Sequence, residues 1–266
     1  MRDSMQVQDR QAHAVCLPPV VTSNGHTSDN MARLMQLLGV DAHDGRAHGS
    51  PVPITVQRVG AGEPLYQEGA QARAIFIVQA GTFKAFRSSD DGYEQVVGFA
   101  GRSEVLGFDA LSLGLHPTCA VALDESSVYV LSLTALYSLA ERAPALDRSL
   151  LMAMSSQLQR FADLVGLKSA VSAEARLGRF LLQYAQGMMS QGQSSRRLYL
   201  RMTRRDIASY LGITHETVSR AFTNLVRARY VSVARREIEI LDIDGLKACA
   251  RSTRRRFEAP GLTASH

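Results

Sequence analysis

Glu216, Ser219, Arg220 and Thr223 fall at i, i+3, i+4 and i+7. In a helix that spacing sets all four on one side. They are residue types that read base edges in a DNA major groove. An arginine can give two hydrogen bonds to guanine O6 and N7, and a glutamate can accept from cytosine N4. The same row could be an ordinary solvated face carrying a Glu216–Arg220 pair. The surroundings favour the first reading. From Arg196 to Arg236 there are ten arginines, no lysine, and only Asp206 and Glu216 as acids.

The neighbouring residues supply the elements that would position this row. Thr203 is placed to cap a first helix, with Asp206 three residues on to close a capping box. Ile207, Ala208 and Leu211 make its apolar stripe, and Gly212 ends it where a left-handed residue is wanted. Thr214 can cap a second helix whose inward face is Val218, Phe222 and Leu225. Two short helices around a tight glycine turn are a helix-turn-helix. Thr203, Thr214 and His215 join the expected DNA-facing set, with Arg204 on a phosphate. Beyond it, Val231, Val233, Ile238 and Ile240 alternate around Arg235 and Arg236, a hairpin wing. Its two arginines would lie along a phosphate strand or form a solvated tip. Leu246 to Ala250 reads as a short closing helix.

Glu216-Thr217-Val218-Ser219-Arg220 resembles the E-x-x-S-R recognition helix of the oxygen-responsive branch of the Crp/Fnr family of bacterial transcription regulators. The resemblance extends over most of residues 55 to 250. Gly107-Phe108-Asp109-Ala110-Leu111 with His116-Pro117 is similar to that branch's sensor domain, and Ala173 to Phe180 to its first DNA-domain helix. It implies a homodimer, a palindrome like TTGAT-N4-ATCAA, and RNA polymerase as a further partner.

Length and charge agree with two domains. The 266 residues carry a net charge of +5, unevenly placed. Residues 51 to 140 hold five basic and nine acidic side chains, net −4, whereas the arginine-rich segment is net +8. One half alone is therefore suited to a polyanion, here double-stranded DNA. No apolar run approaches the roughly 20 residues that span a bilayer. The N-terminus has no apolar stretch behind its charges, so neither a signal peptide nor a membrane partner is expected, and the expected location is the cytoplasm. Cys16, Cys119 and Cys249 are far apart and form no disulfide framework.

Five segments are expected, in an α+β chain. Residues 1–50 are polar and read as a flexible arm with one short helix at Met31–Leu38. Its His43 and His48 read as solvated loop residues rather than metal ligands, with no further ligand at suitable spacing. Residues 51–141 hold short strand-like runs, Ile75–Val78, Phe83–Phe86 and Gln95–Phe99, with glycine turns and an Asp90-Asp91-Gly92 hairpin. This predicts a cupin-like β-roll, which the resemblance identifies as a sensor domain. In residues 142–170, Leu151, Met154, Leu158, Phe161 and Val165 follow a heptad seam suited to a dimerisation helix. Residues 171–250 make the winged helix-turn-helix and 251–266 a basic tail.

The signal sensed is less legible. Cyclic-nucleotide-binding relatives place an arginine before the hydroxyl of a phosphate-binding cassette. Here that stretch is Pro117-Thr118-Cys119-Ala120, and burying a phosphate without a cation is costly. Iron–sulfur relatives use four cysteines; this chain has three scattered ones, with Tyr129 about where the roll's ligand would align. Haem would need an axial histidine, for which the roll offers only His116, beside Pro117. No cofactor and no enzymatic activity are expected, and the small-molecule effector is unidentified. In oxygen-sensing relatives an acid in the dimer helix holds monomers apart; here Phe161 aligns with that position, and Asp163 is the nearest acid. Two alternatives stand: a regulator gated by haem, nitric oxide or another small molecule, and a cupin-type ligand-binding or enzymatic protein.

Overall fold

The structure, a computed structural model, describes residues 22–23, 27–39, 52–168, 172–190 and 194–251. Two antiparallel sheets make the N-terminal half. One runs β1 (Thr22–Ser23), β2 (Ile54–Val59), β9 (Ser126–Ser132), β4 (Ala74–Ala80), β7 (Val105–Leu106). The other runs β3 (Pro64–Tyr66), β8 (Cys119–Ala122), β5 (Phe83–Ser88), β6 (Glu94–Ala100). Val78, Phe83 and Val128 are fully buried in the roll with Tyr66 and Phe76. The expected strand runs lie inside β4, β5 and β6, and Gly92 closes the β5–β6 hairpin at φ 79°. Gly81 has φ 89°, and an added Cβ would collide with Ser126, so this corner admits only glycine.

The arm reading is corrected within residues 27–37. These form helix α1 (Thr27–Leu37), whose Met31, Leu34 and Met35 are buried against Val52, Ile54 and Leu131. Asn30 Nδ2 donates to the Ile54 carbonyl at 3.0 Å. Three apolar residues at i, i+3 and i+4 are enough to dock a helix when a preformed sheet supplies the other wall. His43, His48 and Cys16 lie outside the described residues.

After β9 come α2 (Leu133–Tyr137), α3 (Leu139–Arg142) and the long α4 (Pro144–Lys168). The first two turns of α4 belong to the roll: Leu146 and Leu150 are buried with Leu139, Ile54 and Ile75. Farther on, the same helix leaves Leu151, Leu158, Phe161 and Val165 exposed, and Met154 half-buried.

The C-terminal half contains α5 (Ala173–Ser190), β10 (Arg197–Tyr199), α6 (Arg204–Leu211), α7 (His215–Arg227), β11 (Val231–Ala234), β12 (Glu237–Ile240) and α8 (Ile243–Arg251). Helix α5 runs on through Gly187 to Ser190. Strand β10 pairs with β12, making the wing three-stranded, an element the sequence reading missed. Leu177, Phe180 and Leu181 of α5 share one core with Ile207, Leu211, Val218, Phe222, Leu225, Ile238 and Leu246. The basic tail after Arg251 lies outside the described residues.

The two halves meet where α6 lies on β6. Lys84 Nζ of β5 donates to Glu94 at 2.6 Å and to Asp206 at 3.0 Å, with Lys84 and Asp206 only 13% and 11% exposed. Ser209 Oγ accepts from Val96 N–H at 2.8 Å and donates to the Glu94 carbonyl at 2.7 Å. Gln95 Nε2 donates to the Ser209 carbonyl at 2.8 Å, and Arg201 pairs with Asp124 at 2.5 Å. Phe99 packs on Tyr210, ring centroids 5.3 Å apart. Removing the cation would leave the nearly buried Asp206 without its ammonium, beside a half-exposed Glu94. Lys84→Ala is expected to weaken the docking by about 1–3 kcal/mol. Hydrogen exchange should then accelerate in both α6 and β6; unchanged exchange there would show that Lys84 does not hold the halves together.

Candidate nucleic-acid interface

Helix α6 starts as the spacing predicts. Thr203 Oγ1 accepts from Asp206 N–H at 3.1 Å, and Asp206 Oδ2 accepts from Thr203 N–H at 2.8 Å, a complete capping box. Gly212 ends the helix at φ 65°, ψ 41°, the left-handed conformation the turn demands. Thr214 then caps α7 by accepting from Thr217 N–H at 3.2 Å. Val218, Ala221, Phe222 and Leu225 are buried, so α7 is rotationally fixed and its other face is presented outward. Arg176 of α5 donates to the Leu211 carbonyl at 3.3 Å, and Asn224 to Glu174 at 2.7 Å, tying both helices to α5.

On the outward face, Thr214, His215, Glu216, Ser219, Arg220 and Thr223 are all exposed. Glu216 is held below the usual carboxylate range by its own backbone N–H and the Thr214 hydroxyl, ahead of any ionic effect, so it is an anion poised to accept hydrogen bonds. Arg220 Nη2 rests on Thr217 Oγ1 at 3.2 Å. Ser219 and Thr223 donate back to the carbonyls of His215 and Ser219, at 3.0 and 3.1 Å. Their hydroxyl protons are therefore already engaged, and each must rotate before donating to another group. Arg235 and Arg236 sit exposed at the wing tip, Arg235 at φ 57°.

Arg204 departs from expectation. Its guanidinium lies 3.3 Å from the centroid of the Phe222 ring, and Nη1 is buried with no hydrogen-bond partner among the described residues. Burial pushes its pKa down to about 10. The guanidinium is a half-buried cation stacked between the two helices of the motif. Its neighbour Arg205 is the exposed one, and the sequence reading passed over it. The docking residues Ser209, Gln95 and Lys84 were also missed. The one available signal was that Lys84 is the only lysine between residues 51 and 140.

In the roll, His116 is 3% exposed and stacks on Tyr66, centroids 3.9 Å apart and rings 12° from parallel. Burial holds its pKa below the ordinary histidine value, against the pull of Asp109. The loop position beside Pro117 is thus a packed one, with the imidazole face covered by an aromatic ring. Thr118 Oγ1 donates to Asp109 at 3.2 Å. Cys119 is half-buried, and burial raises its thiol pKa. Tyr129 is buried, with its hydroxyl accepting from Gln79 Nε2 at 3.0 Å. Among the described residues no three His, Cys, Asp or Glu side chains converge on a metal-sized site, and no helix is long and apolar enough to cross a membrane.

Asp206 serves both the cap and the interdomain contact. Burial alone would raise its pKa, but bonds from the Thr203 hydroxyl and N–H, and then Lys84, hold it below the ordinary 3.8. A carboxyl lowered on folding adds stability above its unfolded value, and that stability is lost as the pH falls through the folded value. Between about pH 5 and about pH 2, the wild type should therefore lose more stability than Asp206→Asn. Urea titrations across that range check this, and equal acid sensitivity would show that the Asp206 charge contributes nothing.

Residues 56–143 match the cyclic nucleotide-binding domain family, and residues 175–249 the Crp-like helix-turn-helix domain family. The chain is 33% identical to the transcriptional regulatory protein btr of Bordetella pertussis over 71% of its own length and 78% of that protein. It is 28% identical to the fumarate and nitrate reduction regulatory protein of Salmonella typhimurium, over 94% and 92% of the two chains. FixK2 from Bradyrhizobium japonicum superposes with a TM-score of 0.66 at 25% identity, covering 74% of this chain and 96% of that one.

Proposed function

The chain belongs to the Crp/Fnr family of DNA-binding transcription regulators, and from that premise we propose that it acts as a homodimer on a palindrome resembling TTGAT-N4-ATCAA. The observation that carries the DNA half of this reading is the outward face of α7. Glu216 and Arg220 are exposed, one turn apart, on a helix whose opposite face is locked in the core. Two such helices in a dimer would sit about one helical turn of DNA apart, roughly 34 Å. Arg205, Arg235 and Arg236 supply exposed cations on the flanks for phosphates. RNA polymerase is the further partner this reading includes, with the cytoplasm as its place of action.

Arg220→Ala should lower affinity for the palindrome by about 1–3 kcal/mol and relax preference at the guanine-containing position. Arg205→Ala should weaken all sequences alike and flatten the salt dependence. Fluorescence anisotropy with single-base variants separates the two effects. Unchanged affinity and base preference in Arg220→Ala would overturn the assignment of α7 as the reading helix.

The dimer half rests on α4. Beyond its roll-bound turns, Leu151, Leu158 and Val165 are 57%, 69% and 72% exposed, with Phe161 at 42%. Large side chains repeating every three or four residues in the open mark a surface meant to be covered. A second copy of α4 covers it without any acid on the row. The inward-facing groups of the roll do not favour the usual effectors. A phosphate at Thr118 would meet the Asp109 carboxylate, with the nearby Arg87 exposed and donating to the Pro117 carbonyl, and the two described cysteines lie in different halves of the molecule. The dimer is accordingly constitutive, formed in air with neither cyclic AMP nor an iron–sulfur cluster. Each Phe161 buried at the seam contributes on the order of 1.5–3 kcal/mol. Sedimentation at micromolar concentration should give a dimer for aerobic wild type and a shift towards monomer for Phe161→Asp. A predominantly monomeric wild type would overturn the constitutive dimer.

A further inference from the structure

A cleft of about 770 Å³ opens between the roll, the flank of α4 and the DNA-binding half. Its size and its place at a domain junction are those of small-molecule sites. One wall is aromatic. Phe99 of the roll meets Tyr210 of α6, and Phe180 of α5 meets Tyr210 at 5.8 Å and Tyr184 at 6.1 Å between centroids. The charged lining groups are mainly cationic, among neutral polar and small residues. Arg102, Arg160 and Arg201 face the cleft, against Glu104 as its single carboxylate. Arg160 pairs with Glu104 at 3.3 Å yet remains 45% exposed, and Arg201, paired with Asp124, lies 5.2 Å over the Tyr199 ring and is 43% exposed. Burial raises the Glu104 pKa against the pull of Arg160 and the Gly101 N–H.

We propose that this interdomain cleft binds a small aromatic carboxylate, its ring on the Phe99–Tyr210–Tyr184 wall and its carboxylate among the arginines. Arginine is suited to both tasks, because the guanidinium stacks on rings and grips a carboxylate with two parallel hydrogen bonds. The proposed dimer leaves the site open. The cleft takes Ala153, Ser156 and Arg160 from α4, a row at i, i+3 and i+7 that is separate from the Leu151–Val165 seam. An occupant touches the roll through Phe99 and the DNA-binding half through Tyr184, Tyr210 and Arg201. By linkage it strengthens the docking of α6 on β6 to the extent that it binds the docked arrangement better. Binding itself does not rest on the DNA assignment; only its consequence for DNA does.

Calorimetric titration of the full chain, without DNA, tests the site with benzoate and indole-3-acetate as probes and benzamide as the uncharged control. The carboxylates should saturate, with benzamide at least about tenfold weaker than benzoate. Arg160→Gln should weaken benzoate by about tenfold, and Glu104→Gln should tighten it, because the competing carboxyl is gone. Opposite signs from two neighbouring substitutions would not arise from general loosening of the fold. Bound benzoate should also slow hydrogen exchange in α6 and β6. The proposal is overturned if neither carboxylate saturates up to about 10 mM. It is likewise overturned if benzamide matches benzoate, if both substitutions leave affinity unchanged, or if exchange in α6 and β6 does not respond. Because no DNA is present, a failed base-reading test at Arg220 leaves these outcomes intact.

Discussion

The arrangement of this molecule turns on one carboxylate. Asp206 completes the capping box that starts α6, and it is also the acid that Lys84 reaches from the roll. A carboxylate at a helix N-terminus is already favoured by the unpaired N–H groups and the helix dipole. Placing a buried ammonium beside it costs desolvation, which Lys84 recovers only by bonding to Glu94 as well. The consequence is directional. The first helix of the helix-turn-helix is anchored by its own N-terminus to a strand of the roll, while the second helix keeps its outward face clear. Ser209 reinforces the anchor one turn later by pairing with the β6 backbone. The roll and α6 are thus tied by hydrogen bonds as well as by the Phe99–Tyr210 ring contact.

The helix-turn-helix was legible in the sequence because everything that makes it is local. Thr203 and Asp206, Gly212, and Thr214 act within a few residues of themselves, and Val218, Phe222 and Leu225 declare their face by spacing alone. The β12 side of the wing was legible for the same reason. Strand β10 was not, because Arg197–Tyr199 is only three residues long and gains its partner from forty residues downstream. The stacking of Arg204 was not legible either, on equally physical grounds. An arginine at the first position of a helix in a basic segment suggests phosphate, but Phe222 eighteen residues later supplies a ring for it to lie on. The docking of the halves was invisible, since Lys84–Asp206 and Val96–Ser209 are polar pairs more than a hundred residues apart. Polar pairing over such distance has no periodicity to read. Helix α1 falls between these cases: a short helix was expected at Met31–Leu38, but a mostly polar segment conceals how completely Met31, Leu34 and Met35 are buried when the receiving sheet already exists.

Helix α4 makes two kinds of contact along one rod. At its start, Leu146 and Leu150 are core residues of the roll, so the helix direction is set by the N-terminal half. One turn later the apolar row turns outward, and near its end the Gly166 carbonyl accepts from Arg179 of α5 at 2.7 Å. A rigid helix fixed at one end by the roll and at the other by the DNA-binding half converts small changes at either end into displacement of the other. The exposed row between those ends is where a second copy would add its own constraint. For that reason a side chain such as Phe161 matters beyond its own buried area.

The interior of the roll constrains what such a rod can respond to. Tyr66 and His116 stack at van der Waals separation, Thr118 is committed to Asp109, and burial keeps the Tyr66 hydroxyl neutral well above the ordinary range. A charged ligand entering there would have to separate a stacked pair and face a carboxylate. The junction between the halves presents the opposite conditions: an open aromatic wall, half-exposed guanidinium groups, and contacts that reach both the roll and α6. A group bound inside the roll must act on the DNA-binding half through intervening side chains, each able to absorb part of the displacement. A group bound at the junction acts on it directly, because Tyr210 lies on α6, next to the Ser209 that bonds to β6.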